Sequence, residues 1–239
     1  VGDEVTTATM VERPILFKGP MVRGIFGDVK TQTRREMDPQ PPREAAVVDP
    51  YNGNYGHFTA WSADHKMFLE PGNVKGTAHW RCRQGVPGDR LWVRETWLPF
   101  IPEHVIDGKK YAYRADIARD FEDVERCREE LHYKWKPSIF MPREASRLTL
   151  EITGLRAQKL QEISEADARA EGIREVTKDG VVKKYCVYDR GDMSSVPWAE
   201  MPRTAVEAYR ALWETINGKG SWDRNPWVWV IEFKRVGQG

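Results

Sequence analysis

Gly27-Asp28-Val29-Lys30-Thr31-Gln32-Thr33-Arg34-Arg35 is the stretch on which the reading of this chain turns. The compact apolar segment before it, Met21 to Phe26, predicts one or two helical turns. A helix, a glycine and then a strand opening on Lys-Thr-x-Thr-x-Arg displays an amine, two hydroxyls and guanidinium groups at one edge of a sheet. That assortment suits a pocket for a polar ligand. The plain alternative is an edge strand with a solvated polar face. On a regular strand Lys30 and Thr33 point to opposite sides, whereas Thr31 and Thr33 share a face. Joint action of Lys30 and Thr33 therefore requires Lys30 in the turn before the strand, or a bulge between them.

Working outward, Pro14 to Phe17 reads as a short apolar strand, with Pro20 suited to the start of the helix after it. Residues 38–84 carry Pro39, Pro41, Pro42, Pro50 and Pro71 with scattered aromatics and no sustained periodicity, so they read as an insertion or long loop. Arg90 to Trp97 alternates like one half-buried strand, and Lys110 to Arg114 reads as another. Residues 116–132 have helical spacing and heavy charge. Arg147 to Gln158 is the clearest strand, with Leu148, Leu150 and Ile152 on one face. Ser164 then reads as the N-cap of a short helix, Glu165 to Ala170, ending near Gly172. Residues 174–200 are polar and turn-rich, a further insertion. Thr204 to Asn217 is an amphipathic helix with Val206, Tyr209, Leu212, Trp213 and Ile216 near one face. Trp227 to Val236 closes the chain as a strand. Separated strands with few short helices predict an α+β fold with a small, closed or nearly closed β-barrel, flanking helices and long inserted loops. In outline, residues 1–10 are a leader or remnant, and 11–236 form a single domain interrupted at about 38–84, 115–136 and 174–201.

Composition narrows the function classes. No apolar run approaches the ~20 residues of a membrane span, and there is no charged-then-apolar leader. Cys82, Cys127 and Cys186 are far apart and odd in number, which argues against a disulfide scaffold and for a reducing, cytoplasmic setting. No Cys-x-x-Cys or His-x-x-x-His spacing occurs, so neither a metal nor another cofactor is expected. The net charge is +1, from 37 basic and 36 acidic side chains, which does not by itself announce a nucleic-acid binder. Charge is uneven, however: Arg13, Lys18, Arg23, Lys30, Arg34 and Arg35 form one basic run, and Arg81, Arg83, Arg90 and Arg94 another. If the two meet, they make a patch for a phosphate or an RNA backbone.

The order of these elements resembles the ASCH-domain family. Helix, Gly27 to Arg35, then Gly88-Asp89-x-Leu91-x-Val93, then a long strand leading into Ile163-Ser164-Glu165-x-x-Ala168-x-x-Glu171-Gly172, then a terminal strand ending Ile231-Glu232-Phe233 carry the likeness. It covers about 11–37, 85–114, 147–173 and 204–236. The wording GDRLWVRETW and NPWVWVIEF is similar to that of the longer ASCH proteins of phages and prophages. The resemblance implies a PUA-like β-barrel. It also implies RNA-related roles in general, and for the small members an amidohydrolase that converts N4-acetylcytidine to cytidine and acetate. Carried over by motif, the catalytic set is Lys30, Thr33 and Glu171. The family also includes ribonucleases with a different residue set.

Amide hydrolysis needs a nucleophile, a proton shuttle and an oxyanion donor. A lysine serves as base for Thr33 only when neutral, so burial or a cationic neighbour such as Arg34 or Arg35 must depress it. A charged Glu171 beside Lys30 works against this. Glu171 is therefore expected to be protonated for part of the cycle, or to reach the substrate rather than the lysine. Candidate substrate-binding residues are Arg35, Thr31, Glu95, Trp97 and Tyr113. Each has a structural reading beside the functional one: Arg35 as a surface charge, Thr31 and Thr33 as strand residues, Glu95 as the partner of Arg94 or Arg81, and Trp97 and Tyr113 as packing rather than pyrimidine stacking. Three functions follow for test. They are an amidohydrolase acting on a modified nucleoside, an RNA- or single-stranded-DNA-binding module, and a metal-dependent ribonuclease.

Overall fold

The computed structural model describes residues 10–41, 45, 47–51, 54–62, 67–69, 80–100, 110–116, 134–187 and 197–236. The first strand, β1, is Glu12–Leu16, followed by helix α1, Gly19–Phe26, and strand β2, Gln32–Glu36. Strands β3 (Val47–Tyr51), β4 (Asn54–Ser62) and β5 (Met67–Leu69) come next, then β6 (Arg90–Arg94), β7 (Trp97–Pro99) and β8 (Tyr111–Tyr113). The long strand β9 (Thr149–Lys159) leads to helix α2 (Glu165–Ala170), the pair β10 (Ile173–Thr177) and β11 (Lys183–Val187), helix α3 (Ala205–Asn217) and strand β12 (Trp227–Val236). The architecture is mixed α+β, with one five-stranded sheet in the order β1-β6-β9-β12-β2. Only the β1–β6 pair is parallel; the other pairings in that sheet are antiparallel.

β12 sits between β9 and β2 and separates the two largest of the apolar cores among the described residues. Its five residues from Trp227 to Ile231 are all buried, so both faces are covered. Trp227, Trp229, Ile231 and Phe233 enter the larger core, while Val228 and Val230 enter the smaller one with Tyr209, Trp213 and Trp222. The period-2 alternation of a strand divides them in this way. No helix among the described residues is long and apolar enough to cross a membrane.

Three expectations need correcting. Residues 38–84 are not merely a loop: β3, β4 and β5 make an antiparallel sheet. Val48, Phe58 and Trp80 join the larger core, with Phe58 edge-on to Trp229 at 4.6 Å between centroids. Proline and glycine break the strand periodicity there, and packing on β12 supplies what local preference lacks. Residues 174–200 are likewise not all loop, since β10 and β11 pair as a hairpin. Arg90 to Trp97 is two strands, not one, parted at Glu95-Thr96, with β7 pairing to β8. The helix read over 116–132 and Cys127 lie largely or wholly outside the described residues, as do residues 1–9.

Asp89 ties the first strand to this frame. Its carboxylate accepts the N–H of Val11 at 3.0 Å and of Val86 at 3.2 Å, and meets Arg13 Nη1 at 2.5 Å. Burial opposes the charged form, but these donors outweigh it and hold the carboxyl below its ordinary range. A carboxyl lowered in the folded state contributes stability above its unfolded value near 4, and that stability is lost as pH falls through the lowered folded value. Asp89→Asn is therefore expected to flatten the acid limb of the stability–pH profile. Urea titrations at a series of pH values check this; parallel acid limbs for the two proteins contradict it.

Candidate active site

The approach to Lys30 is built by the end of α1. Gly24 O accepts the N–H of both Val29 and Lys30, at 2.9 and 3.0 Å, and Asp28 takes a φ of 55° to make the turn. Lys30 therefore stands ahead of β2, in an isolated bridge to Glu171, instead of in a regular ladder with Thr33. Its ammonium is directed to Glu171 and to Gln32 O, and Thr33 is not among its hydrogen-bond partners. On the other side, Ser164 Oγ caps α2 by accepting the Asp167 N–H at 3.0 Å. The helix ends at Glu171, and Gly172 follows with a φ of 99°. A side chain at Gly172 would be strained, and its Cβ would sit 3.3 Å from Lys30 Cβ.

These two turns bring together residues 141 apart in the chain. Lys30 Nζ donates to Glu171 Oε2 at 2.7 Å, Glu171 O at 2.9 Å and Gln32 O at 2.8 Å. Three acceptors match the three protons of an ammonium. Burial nonetheless pushes the Lys30 ammonium below its ordinary value; Glu171 opposes the shift, and Arg35 and Arg34 add to it. The second oxygen of Glu171 accepts Arg34 Nη1 at 3.1 Å, and the same Nη1 donates to Gln32 Oε1 at 2.6 Å. Both cationic side chains are fully buried. The carboxylate is thus clamped between two cations. Of the two expectations for Glu171, protonation for part of the cycle or reach to the substrate rather than the lysine, the second is corrected: the carboxylate binds the lysine, with the two residues bridged next to the turn at Gly172.

A second layer balances the charge. Arg34 Nη2 lies 3.2 Å from Asp167 Oδ2, Arg156 Nη2 donates to Asp167 Oδ1 at 2.9 Å, and Arg156 Nη1 pairs with Glu232. Burial opposes the charged form of Asp167, but Arg34 and Arg156 outweigh it and hold the carboxyl low.

A cavity of about 270 Å³ opens beside this cluster. It lies between the two edges of the sheet and beneath α3. Leu16, Phe17 and Lys18 line it from the end of β1, Thr33, Arg34 and Arg35 from β2, and Tyr209, Leu212, Trp213 and Ile216 from α3, with Glu171 also in the wall. Thr33 is buried against this space, and its hydroxyl has no hydrogen-bond partner among the described residues. Lys30 is not in the wall; it stands behind Glu171. Burial drives the Tyr209 hydroxyl well above its ordinary range, with Glu171 adding to the shift, so it stays protonated. Tyr209 and Trp213 were legible only as the apolar face of a helix; nothing in that spacing separates a cavity wall from a core.

The other sequence candidates divide. Arg35 belongs to the cavity: its Nη2 donates to Leu16 O at 2.7 Å and its guanidinium lies 5.4 Å from the Phe17 ring centre. Thr31 is exposed and outside the cavity, its backbone held by Ala170 O and Phe233 N–H. Glu95 pairs with Arg147, not with Arg94 or Arg81, through contacts of 2.9 and 3.1 Å, and lines a separate cavity of about 180 Å³. Burial pushes its carboxyl up and Arg147 opposes the shift. Trp97 packs edge-on against Tyr111 at 5.6 Å, beside Met141 and Ala145. Tyr113 donates to Ala145 O at 2.9 Å and carries the Arg147 guanidinium 3.9 Å from its ring centre. Trp97 and Tyr113 thus pack on the segment 138–147, and neither lines the cavity beside Thr33.

Several members of the two basic runs are neutralised where they stand. Arg13 pairs with Asp89, Lys30 and Arg34 with Glu171, and Arg83 with Asp38. Arg94 Nε donates to Met141 O at 2.9 Å. Among the described residues, no group of three or more His, Cys, Asp or Glu side chains is placed to hold a metal ion. Comparison with family models, with curated proteins and with solved structures returns no match.

Proposed function

We propose that this chain is an amidohydrolase that removes the acyl group from N4-acylated cytosine nucleosides, giving cytidine and a carboxylic acid, on a PUA-like barrel of the ASCH type. One observation carries the reading. Lys30 and Glu171 meet at 2.7 Å in a buried pair, and Thr33 and Glu171 line the same cavity. At about 270 Å³ the volume lies just under the ~300–1,000 Å³ of ligand pockets, a scale for a single nucleoside rather than a polymer. Support for a nearly closed barrel comes from the sheet edges, which bracket the cavity and are joined across it by the Arg35–Leu16 hydrogen bond. The free thiols of Cys82 and Cys186 are in keeping with a cytoplasmic protein.

In this reading Thr33 Oγ1 attacks the acyl carbon. Its proton enters the Lys30–Glu171 pair at Glu171, the member in the cavity wall. The tetrahedral intermediate collapses, the C–N bond breaks, and the pair returns the proton to the N4 amine of cytosine. Water then cleaves the threonine ester, releasing the carboxylic acid and restoring the hydroxyl. Lys30 acts from behind: burial depresses its basicity against the opposing pull of Glu171, so it holds its proton less tightly than an exposed lysine.

The test is an absorbance assay following N4-acetylcytidine to cytidine without added metal. Turnover by the wild type is the expected result. Folded protein that leaves N4-acetylcytidine and bulkier N4-acyl analogues untouched would overturn the reading. The next assay would then be oligonucleotide binding at low salt, for an RNA- or single-stranded-DNA-binding module.

A further inference from the structure

The cavity draws its wall from both faces of β2. The register sets Thr33 opposite Ile231 and Arg35 opposite Trp229, toward the larger core, and Arg34 opposite Val230, toward the smaller. All three residues nonetheless line the one space. A space that touches both faces of a strand lies against its edge, and β2 is an edge strand of the sheet. The ladder fixes which peptide groups face that edge. Phe233 N–H donates to Thr31 O at 2.9 Å, and Met37 N–H donates to Trp227 O at 3.0 Å. Odd-numbered residues of β2 therefore turn their peptide groups to β12, and even-numbered ones turn theirs to the free edge. The contact of Lys30 Nζ with Gln32 O at 2.8 Å, outside the ladder, fits this alternation. Arg34 is the next even residue. Its N–H faces the same edge and has no hydrogen-bond partner among the described residues. Arg34 is buried, and a buried N–H without an acceptor calls for an explanation.

We propose that the peptide N–H of Arg34 is the oxyanion donor of the site: it hydrogen-bonds the acyl carbonyl oxygen as negative charge develops there. This rests on the amidohydrolase reading and adds the donor that the Lys30, Thr33 and Glu171 set lacks. The chain itself bounds the distance. Thr33 Oγ1 and Arg34 N are joined through three carbons, Cβ, Cα and the carbonyl carbon, so they are never more than about 5 Å apart. An oxygen borne by the carbon that Oγ1 attacks is two bonds from Oγ1. A hydrogen bond of about 3 Å from Arg34 N to that oxygen closes the triangle. The N–H of the residue after the nucleophile has this role in other acyl-transfer sites. The peptide unit is also held in advance. Its carbonyl, that of Thr33, points to Ile231 in the ladder, and a planar trans peptide then directs the N–H the opposite way. Little reorganisation therefore accompanies charge development. In the reaction, the carbonyl oxygen takes the electron pair as the Oγ1–C bond forms, and returns it when the C–N bond breaks. The Arg34 N–H keeps its proton throughout.

An amide-to-ester exchange at Arg34 tests this. Cell-free translation with a suppressor tRNA carrying the α-hydroxy analogue of arginine replaces the N–H by an oxygen. The side chain stays, with its hold on Gln32, Glu171 and Asp167. Removing one oxyanion donor typically lowers kcat by about 10²–10³-fold. The ester is expected to fall in that range with KM within about threefold of wild type, the pattern of an interaction made only in the transition state. Circular dichroism establishes that it is folded. A second readout needs neither turnover nor the ester. In ¹⁵N–¹H spectra of the wild type, acetate is expected to move the Arg34 amide proton downfield, as a new hydrogen bond does, relative to sodium chloride at equal ionic strength. Wild-type turnover with full kcat in the ester overturns the donor and leaves the amidohydrolase reading standing. No turnover by the wild type, with acetate still moving the Arg34 amide, overturns that reading and supports the donor site. An Arg34 amide that acetate leaves in place overturns the donor site.

Discussion

Replacing Glu171 by alanine is expected to lower stability by about 3–5 kcal/mol, the cost of breaking a buried ion pair from one side. The Lys30 and Arg34 side chains are fully buried on either side of that carboxylate. Without it, two cations face each other in a medium that screens poorly. Lys30 has an escape, since burial already drives it toward the neutral amine. Arg34 has none, because a guanidinium does not lose its proton in a protein. It retains Gln32 and Asp167 as partners, which bounds the loss. Glu171→Gln keeps an acceptor for Lys30 and is expected to cost less than the alanine. Urea denaturation midpoints measure both. An alanine variant within 1 kcal/mol of wild type would show that the clamp is not a stabilising element.

Thr33→Ala has the opposite signature. The backbone of Thr33 pairs with Ile231 in the β2–β12 ladder, and its hydroxyl bonds to nothing among the described residues. Loss of that hydroxyl removes no internal hydrogen bond, so stability is expected to change by about 1 kcal/mol or less, within the span of strand preference. Turnover of N4-acetylcytidine is expected to fall by about 10⁴-fold or more, the scale seen when a nucleophile is deleted. Thr33→Ser, which keeps a hydroxyl with looser χ1, retains part of the rate. More than a tenth of wild-type kcat in the alanine variant would remove Thr33 from the chemistry. Taken together, the two variants separate a residue that holds the site from one that reacts in it: the first loses fold and rate, the second rate alone.

What could be read from the residues was the local part. The Ser164 cap, the α2 boundaries, the helix α3 and the strands β9 and β12 all follow from neighbours a few positions apart, whereas the run from Lys30 reads as strand although the ladder begins only at Gln32. The site's partners do not follow from neighbours. Arg147 is 52 residues from Glu95, so spacing pointed to nearer arginines instead. Tyr209 and Trp213 meet the cavity only because the sheet is open between β1 and β2, which no helical periodicity encodes. The strands in 38–84 were hidden because their stability comes from Trp229 and its neighbours rather than from their own pattern.

The separation of the motif residues sets an order of assembly. Lys30 and Thr33 are synthesised before their partners, as part of a short helix–turn–strand. Glu171 lies 141 residues after its partner Lys30, β2 finds its ladder only when β12 has emerged, and α3 roofs the cavity just before that. Loop closure over such distances must precede any reward from the contacts it makes. A nascent chain or a proteolytic fragment that stops short of Ala205 therefore carries all three motif residues and no cavity. The pocket comes into being with β12, and the indole of Trp213, sealed in its wall, reports the moment that it closes.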